Sequence, residues 1–309
     1  MKTPVALFIF NRPENTEKVL QAIRQVKPPK LLVVADGSRK DKVGELEKCK
    51  ATRAVIEQID WDCEVLKNYS DINLGCGKRL ATGIDWVFEQ VNKAIFLEDD
   101  CLPEPTFFQF CETMLEMYSH DERIMTIAGC NPLIEWKSDI QSYHFAYFGG
   151  VWGWASWKRA WKYFDYEIKF WSDREVRQRI SGVLANNQQF KTYNLIFSET
   201  LKNSNIYNTW DYQWLCCRLS QSGLVIVPAV NLISNIGFGN DATHTKQVNS
   251  GLSKLTTMPL TFPLKINHFV VVDRAYDQMF YEKYLKISSL SIIKKKIKSY
   301  FLNKILKKR

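Results

Sequence analysis

With 309 residues, 46% of them hydrophobic and 13% aromatic, the chain can bury a full core as one large α/β domain or two small ones. Eight of its nine surplus positive charges fall in residues 291–309, which hold no acid, and a nearly neutral remainder argues against a nucleic-acid-binding body. Cys49, Cys63, Cys76, Cys101, Cys111, Cys130, Cys216 and Cys217 include no Cys-x-x-Cys pair, which excludes zinc-ribbon and thioredoxin-type frameworks and points to reduced thiols in a cytosolic setting.

The first apolar run, residues 4–10, is too short for a signal peptide or a membrane span and reads as a strand ending at Asn11-Arg12-Pro13. Val19, Leu20, Ile23 and Val26 then recur at helical spacing. A second strand, Leu31 to Ala35, ends in Asp36-Gly37-Ser38, and a charged helix is predicted over Lys42 to Ile59. A third strand, Cys63 to Tyr69, leads through Asn73-Leu74-Gly75-Cys76-Gly77 to a helix from about Arg79 to Val91, and Ala94 to Leu97 is a fourth strand. This alternation predicts a doubly wound, mostly parallel sheet with ligands at the carboxyl ends of its strands. Farther on, the pattern gives a helix over Phe107–Tyr118, a strand over Ile124–Ala128 and an aromatic stretch from Tyr143 to Trp171. A polar helical region to about Asn203, a helix over Asp211–Ser222, a strand over Leu224–Pro228 and a Gly-, Asn-, Ser- and Thr-rich loop at 235–257 complete it.

The most informative stretch is Lys93 to Asp100, an apolar strand closed by Glu98-Asp99-Asp100. Adjacent carboxylates repel, so a hard divalent cation, Mg²⁺ or Mn²⁺, that in turn grips phosphate oxygens is one explanation. A solvated acidic turn is the other. Gly75-Cys76-Gly77 lacks the third glycine of a dinucleotide fingerprint, and Gly77-Lys78-Arg79 lacks the hydroxyl residue of a phosphate loop. What remains is a glycine turn at a helix start with Lys78 and Arg79 beside it, suited to a diphosphate.

Taken in order, strand–Asn-Arg-Pro, strand–Ala-Asp-Gly-Ser, Asn-x-Gly-x-Gly before a helix and strand–Glu-Asp-Asp resemble nucleotide-sugar glycosyltransferases of the GT-A fold. The similarity is to bacterial family 2-like enzymes and to the N-acetylglucosaminyltransferase I group. It covers residues 4–130 well and extends more loosely to about 245. The resemblance implies a GT-A domain whose nucleotide-sugar-binding half spans 1–130 and whose acceptor-binding half spans 131–285. It implies that Asn11 and Arg12 contact the nucleotide and that Asp36 accepts from the N3–H of uracil. Locally, Asp36 reads equally as a cap of the turn before Gly37. Asp100 would ligate the metal, Asp99 would sit near the ribose or donor sugar, and Glu98 would support the ion.

Asp211 lies in Thr209-Trp210-Asp211-Tyr212-Gln213-Trp214 and is the candidate base for an acceptor hydroxyl, or simply a helix-start acid favoured by the dipole. Gly149 to Trp157 alternates glycine with tryptophan. It suits either a cleft with Trp152 and Trp154 against the sugars or an aromatic core. His244 closes the glycine-rich loop and is expected to touch the metal or the diphosphate, the alternative being a structural histidine. The Gln-x-x-Arg-Trp motif of processive synthases is missing, which argues for adding one sugar or a few.

From 286 to 309 the chain places Ile293, Ile297, Phe301 and Ile305 at intervals of four among lysines. Such a tail reads as a basic amphipathic membrane-surface segment, or as a merely soluble basic end. The expectation is a cytoplasmic enzyme, peripheral at the inner face of the cell membrane. It would be a metal-dependent hexosyl- or N-acetylhexosaminyltransferase acting in surface polysaccharide, lipopolysaccharide or glycoconjugate synthesis. Its partners would be a UDP-sugar, a glycan or lipid-linked acceptor and anionic lipid, and transfer would be inverting. A sugar-phosphate nucleotidyltransferase and a non-catalytic carbohydrate- or membrane-binding module are the alternatives. The first lacks its expected Gly-x-Gly-x-Arg-type loop after the first strand, and the second leaves the acidic trio unexplained.

Overall fold

The structure, a computed structural model, describes residues 1–202, 208–238 and 255–286. In chain order it forms β1 (Val5–Ile9), α1 (Pro13–Val26), β2 (Lys30–Ala35), α2 (Glu45–Val55), β3 (Glu64–Tyr69), α3 (Cys76–Gln90), β4 (Lys93–Glu98) and β5 (Cys101–Pro103). Next come α4 (Thr106–Met117), β6 (Ile124–Ala128), β7 (Tyr143–Ala146), β8 (Trp154–Trp157) and the short helices α5 (Lys158–Trp161) and α6 (Arg174–Ser181). The last are α7 (Asn187–Lys202), α8 (Asp211–Ser220), β9 (Leu224–Pro228), β10 (Ile233–Asn235) and α9 (Arg274–Phe280).

The described strands form an eight-stranded sheet in the order β3-β2-β1-β4-β8-β6-β9-β7. β1 pairs in parallel with β2 and β4, and β2 with β3. β8 runs antiparallel between β4 and β6, β9 is parallel to β6, and β7 closes the edge antiparallel to β9. The result is a mostly parallel, Rossmann-like sheet. β8 lies between β4 and β6, so the two predicted halves share one sheet.

Period-two alternation in buried strands sends side chains into two layers. Val5, Leu7, Ile9, Leu31, Val33, Ile95 and Leu97 pack with α1 and α4 on one face. Ala6, Phe8, Leu32, Val34, Ala94 and Phe96 pack with α3, α8 and the aromatic residues of the second half on the other. The cores therefore hold the strand ends of β1, β2 and β4 in fixed register, and Phe8 stands opposite Glu98.

Several boundaries differ from the sequence pattern. α2 begins at Glu45, not Lys42, because Gly44 takes a left-handed conformation (φ 75°) just before it. α3 begins at Cys76 because the turn at Gly75 (φ 79°) already directs the chain into the helix. β7 and β8 lie inside the aromatic stretch, where the pattern predicts no strand, since all four residues of each are buried and no periodicity shows. β5 and β10, three residues each, pair antiparallel as a small separate sheet. Of the predicted loop at 235–257, residues 239–254 lie outside the described residues. No helix among the described residues is long and apolar enough to cross a membrane.

β7 carries an electrostatic liability. His144 is 1% exposed, its ring 4.2 Å from that of Tyr276, and neither ring nitrogen has a hydrogen-bond partner among the described residues. Burial holds its pKa down to about 4 from the ordinary 6.5, Asp273 opposing and Lys137 assisting. The unfolded chain protonates this imidazole near pH 6.5 while the folded chain resists. The stability involved is whole above that pH and is lost as pH falls towards 4. The shift corresponds to about 3 kcal/mol at most. His144→Leu should therefore flatten the stability curve between pH 6.5 and 4, as measured by urea unfolding at each pH.

Candidate active site

A cleft of about 410 Å³ opens at the carboxyl ends of β1, β2 and β4. α1 carries the chain from β1 to its neighbour β2, whereas α3 carries it back from β3 to β4 on the far side of β1. This is a topological switch point, where parallel sheets leave a crevice for ligands. Its lining includes Arg12, Asp36, Glu98, Asp99, Asp100, Trp152 and Asp211. These residues are spread over 199 positions of sequence and converge only through the sheet.

The acidic rim is bound to β1 by its own hydrogen bonds. Asp99 accepts from the Phe10 amide (3.0 Å) and from Arg12 Nη1 (3.1 Å), and the same Arg12 nitrogen donates to Asp100 Oδ2 at 2.6 Å. Burial, then the charges of Asp100 and Asp99, pushes the Glu98 carboxyl well up; burial, then Asp100, does the same to Asp99. Asp211 adds to the field at Glu98 from across the cleft. Burial opposes the Arg12 charge, but Asp99 and Asp100 outweigh it and raise the guanidinium pKa. The rim therefore sets three carboxyl groups against one guanidinium, and Glu98 and Asp99 hold protons more readily than free carboxyls do.

Asp36 is 6% exposed at the end of β2. Its oxygens accept from the amides of Gly37 (2.9 Å), Leu74 (2.9 Å) and Gly75 (3.0 Å) and from Asn73 Nδ2 (3.1 Å). A carboxylate offers about four lone-pair positions, so these donors fill them. Burial raises its pKa, and the amide bonds pull it back. Asp36 thus acts as the clamp that fixes the glycine turn before α3, and a nucleobase would have to displace one of these donors.

The opposite wall is aromatic. Trp152 lines the cleft and meets Phe238 edge-to-face at 5.7 Å. Trp154, expected at the cleft, is instead a core residue stacked on Phe96 at 4.5 Å. β8 alternation turns it inward, where Trp161, Trp210 and Trp214 surround it. Trp214 is further pinned by its indole N–H on Thr126 Oγ1 at 3.1 Å. The Trp pair that brackets Asp211 in sequence thus anchors the start of α8 and leaves Asp211 and Tyr212 on the cleft. Asn208 joins the walls, its Oδ1 accepting from the Gly77 amide at 2.9 Å. A Cβ at Gly77 would fall 2.6 Å from backbone atoms of Asn208 and Thr209, so only glycine permits this approach.

Other expected contacts lie elsewhere. Asn11 donates to Glu45 (3.0 Å), within a network that also holds Arg39, and does not line the cleft. Lys78 is exposed on α3 and is not part of the lining. Arg79 reaches the lining, yet its guanidinium is committed to Ala35 O at 3.1 Å and Asn68 Oδ1 at 2.8 Å. His244 and the tail from 287 lie outside the described residues. Lining residues that the sequence did not single out include Phe10, Arg39, Cys76, Asn208 and Tyr212. Arg39 sits 5.6 Å from the Phe10 ring centroid. The strand-end position of Phe10 and Arg39 was a usable signal, whereas Asn208 had none.

Among the described residues, no three His, Cys, Asp or Glu side chains converge as a ready-made metal cage. The donor chemistry nevertheless suits a hard cation, for every acidic group on the rim is a carboxyl and three of them face a single guanidinium. Magnesium-like ions commonly take one or two carboxylates and complete their shell with water and substrate phosphates. Asp100 and Glu98 fit that role for a cation shared with a bound diphosphate.

No family model and no curated protein matches the chain. Among solved structures it is similar to S. aureus TarS (residues 1–349), at 10% identity and TM-score 0.38 over 75% of this chain and 59% of that one. It is also similar to mouse xyloside xylosyltransferase 1 in its apo form, at 11% identity and TM-score 0.27 over 42% and 54% of the two chains. A UDP-glucose pyrophosphorylase complexed with UDP-glucose aligns at 11% identity and TM-score 0.35 over 75% and 92%. The chain thus spans little more than half of the first two. All three scores fall below 0.5, and likenesses that low add no functional weight to the geometry of the cleft.

Asp36→Asn should turn an amide N–H₂ towards backbone donors and cost about 2 kcal/mol of stability. Urea unfolding measures the loss, and the protease sensitivity of residues 72–76 should rise with it.

Proposed function

We propose that this chain is a glycosyltransferase that takes a sugar from a nucleotide-sugar donor, a UDP-sugar, and passes it to a hydroxyl acceptor. The carrying observation is the switch-point cleft, in which a surplus of carboxylate at the end of β4 faces Asp211 and Trp152. An acidic rim with more carboxyl groups than cations suits a diphosphate that arrives with a cation, and an aromatic face beside a carboxylate suits a sugar and an attacking hydroxyl.

In this reading Arg12 meets the donor's diphosphate, and the nucleoside lies beside the turn that Asp36 fixes. Asp100 and Glu98 would hold Mg²⁺ or Mn²⁺, which supplies Lewis-acid neutralisation of the departing nucleoside diphosphate. Trp152 presents its ring to the sugar, and the Trp-anchored start of α8 holds Asp211 in place as base. The acceptor oxygen bonds to the anomeric carbon while its proton passes to Asp211. The bond from that carbon to the diphosphate oxygen breaks, and its electron pair leaves with the diphosphate. Direct displacement of this kind inverts the anomeric centre. The basic, apolar-striped tail would bring the cleft to a lipid-linked acceptor at an anionic membrane surface, as surface polysaccharide or glycoconjugate assembly requires.

Thermal shift with UDP should rise when Mn²⁺ is added, and Asp100→Ala should remove that increment. Asp211→Asn should keep UDP affinity within about twofold while lowering transfer about 10²–10⁴-fold, the usual range for losing a general base. Full turnover by the Asn variant, followed as UDP release, refutes the assignment of the base. Label transfer from nucleoside triphosphate to a sugar 1-phosphate would instead identify a nucleotidyltransferase.

A further inference from the structure

Arg12 is the last residue before α1. Its carbonyl oxygen accepts from the amide (3.0 Å) and hydroxyl (2.8 Å) of Thr16, and Pro13 follows it in the first turn. The backbone is therefore fixed, and only the side chain is free to move. One guanidinium nitrogen, Nη1, serves both Asp99 (3.1 Å) and Asp100 (2.6 Å), and among the described residues the other nitrogens make no hydrogen bond. This is not the two-pronged fork in which Arg binds an anion best.

The two carboxylates are not equally dependent on it. Asp99 keeps a second partner, the Phe10 amide at 3.0 Å. Asp100 has only a long contact from the Cys101 thiol, 3.6 Å, besides Arg12 among the described residues. The other nearby arginines cannot take over, since Arg39 is paired with Glu45 and Arg79 donates to Ala35 O. A carboxylate kept beside buried acidic neighbours needs either a positive partner or a proton, and Arg12 is the partner Asp100 has.

We propose that Arg12 is the resident counter-ion of the cation site. It holds Asp100 while the cleft is empty and moves to the donor's diphosphate on binding, which frees Asp100 for the divalent ion. The inference rests on the reading of this cleft as a nucleoside-diphosphate site. A diphosphate offers Arg12 the fork geometry that Asp99 and Asp100 deny it. The ion replaces the positive charge that Asp100 loses. Metal and nucleotide therefore bind together, each raising the affinity for the other by the same factor. A cation arriving alone must compete with Arg12 for Asp100.

Calorimetric titration with MnCl₂ alone, UDP alone and UDP in saturating MnCl₂ tests this on the full chain. Wild type should bind Mn²⁺ at least tenfold more tightly when UDP is present. Arg12→Met should bind Mn²⁺ alone about tenfold more tightly than wild type, bind UDP alone more weakly, and lose most of the mutual enhancement. Arg12→Lys keeps the charge as a single point and should fall between the two, which provides a reading if the Met variant does not fold. Mn²⁺ affinity without UDP that is unchanged or weaker in folded Arg12 variants overturns the counter-ion role while leaving UDP binding, and so the function, intact. A wild-type chain that binds neither UDP nor Mn²⁺ brings down the functional reading itself.

Discussion

Repulsion among carboxylates at the end of β4 is the constraint around which the cleft is organised. Glu98, Asp99 and Asp100 follow a strand whose preceding residues are buried on both faces, so the trio cannot swing out into solvent without uncoupling β4 from β1. The fold meets this by placing one cation and one amide from the turn after β1 against them: Arg12 on Asp99 and Asp100, and the Phe10 amide on Asp99. Both donors belong to the turn that leads into α1, so the start of that helix and the end of β4 are fixed relative to each other. Glu98 and Asp99, their pKa values pushed up by burial and by their neighbours, remain as carboxyls that a proton or a cation neutralises. Three acids against one guanidinium is a lopsided set that a satisfied structural ion pair does not show.

The opposite side of the cleft is held by a different force. Asp36 gathers the amides of Gly37, Leu74 and Gly75, and so fixes the turn that starts α3. Asn208 then ties the first turn of α3 to the segment leading into α8 through the Gly77 amide. The segment that leads into Asp211 is therefore located by hydrogen bonds between side chains and backbone amides. The Trp154–Trp161–Trp210–Trp214 cluster supports this from below, since burying so many rings in one place gives α8 little freedom to shift. Polar clamps set the positions and aromatic packing makes them stiff.

Much of the first half is legible in the sequence, because buried parallel strands write continuous apolar runs and amphipathic helices write a 3.6-residue period. β1, β2, β4 and α1 fall within a residue or two of the pattern, and the acids at their ends follow directly. The second half is less legible for a physical reason. β7 and β8 are buried on both faces, and their aromatic residues fit strand, helix or ligand wall equally well. Trp152 and Trp154 show the consequence: two residues apart in sequence, one lines the cleft and the other lies in the core. Asp36 shows another limit. Its acceptors are filled by Leu74, 38 positions away, and no local rule could choose between a base contact and a cap. Arg12 reads in the sequence as a nucleotide contact, but its bonds to Asp99 and Asp100 depend on a strand pairing that single residues do not announce.

The contrast between the two ends of the cleft explains why its acidic and aromatic walls meet beyond β4, while its β2 end carries only the Asp36 clamp. Beyond β2 lies only β3, whose residues are half-buried or exposed and offer no dry wall. Beyond β4 lies β8, reversed in direction, so the carboxyl end of β4 meets the start of β8 and the glycine-tryptophan turn before it. At Gly153 (φ 55°) a Cβ would press within 2.4 Å of Ile233, so the turn is pinned against β10, the strand that also pairs with β5 just after Asp100. One antiparallel insertion thus brings an aromatic edge against the acidic strand end. A purely parallel sheet would have put another strand end of the same kind there, with no aromatic face beside the acids. Charge at the β4 terminus and an apolar face at the β8 start become neighbours because the strand direction reverses between them.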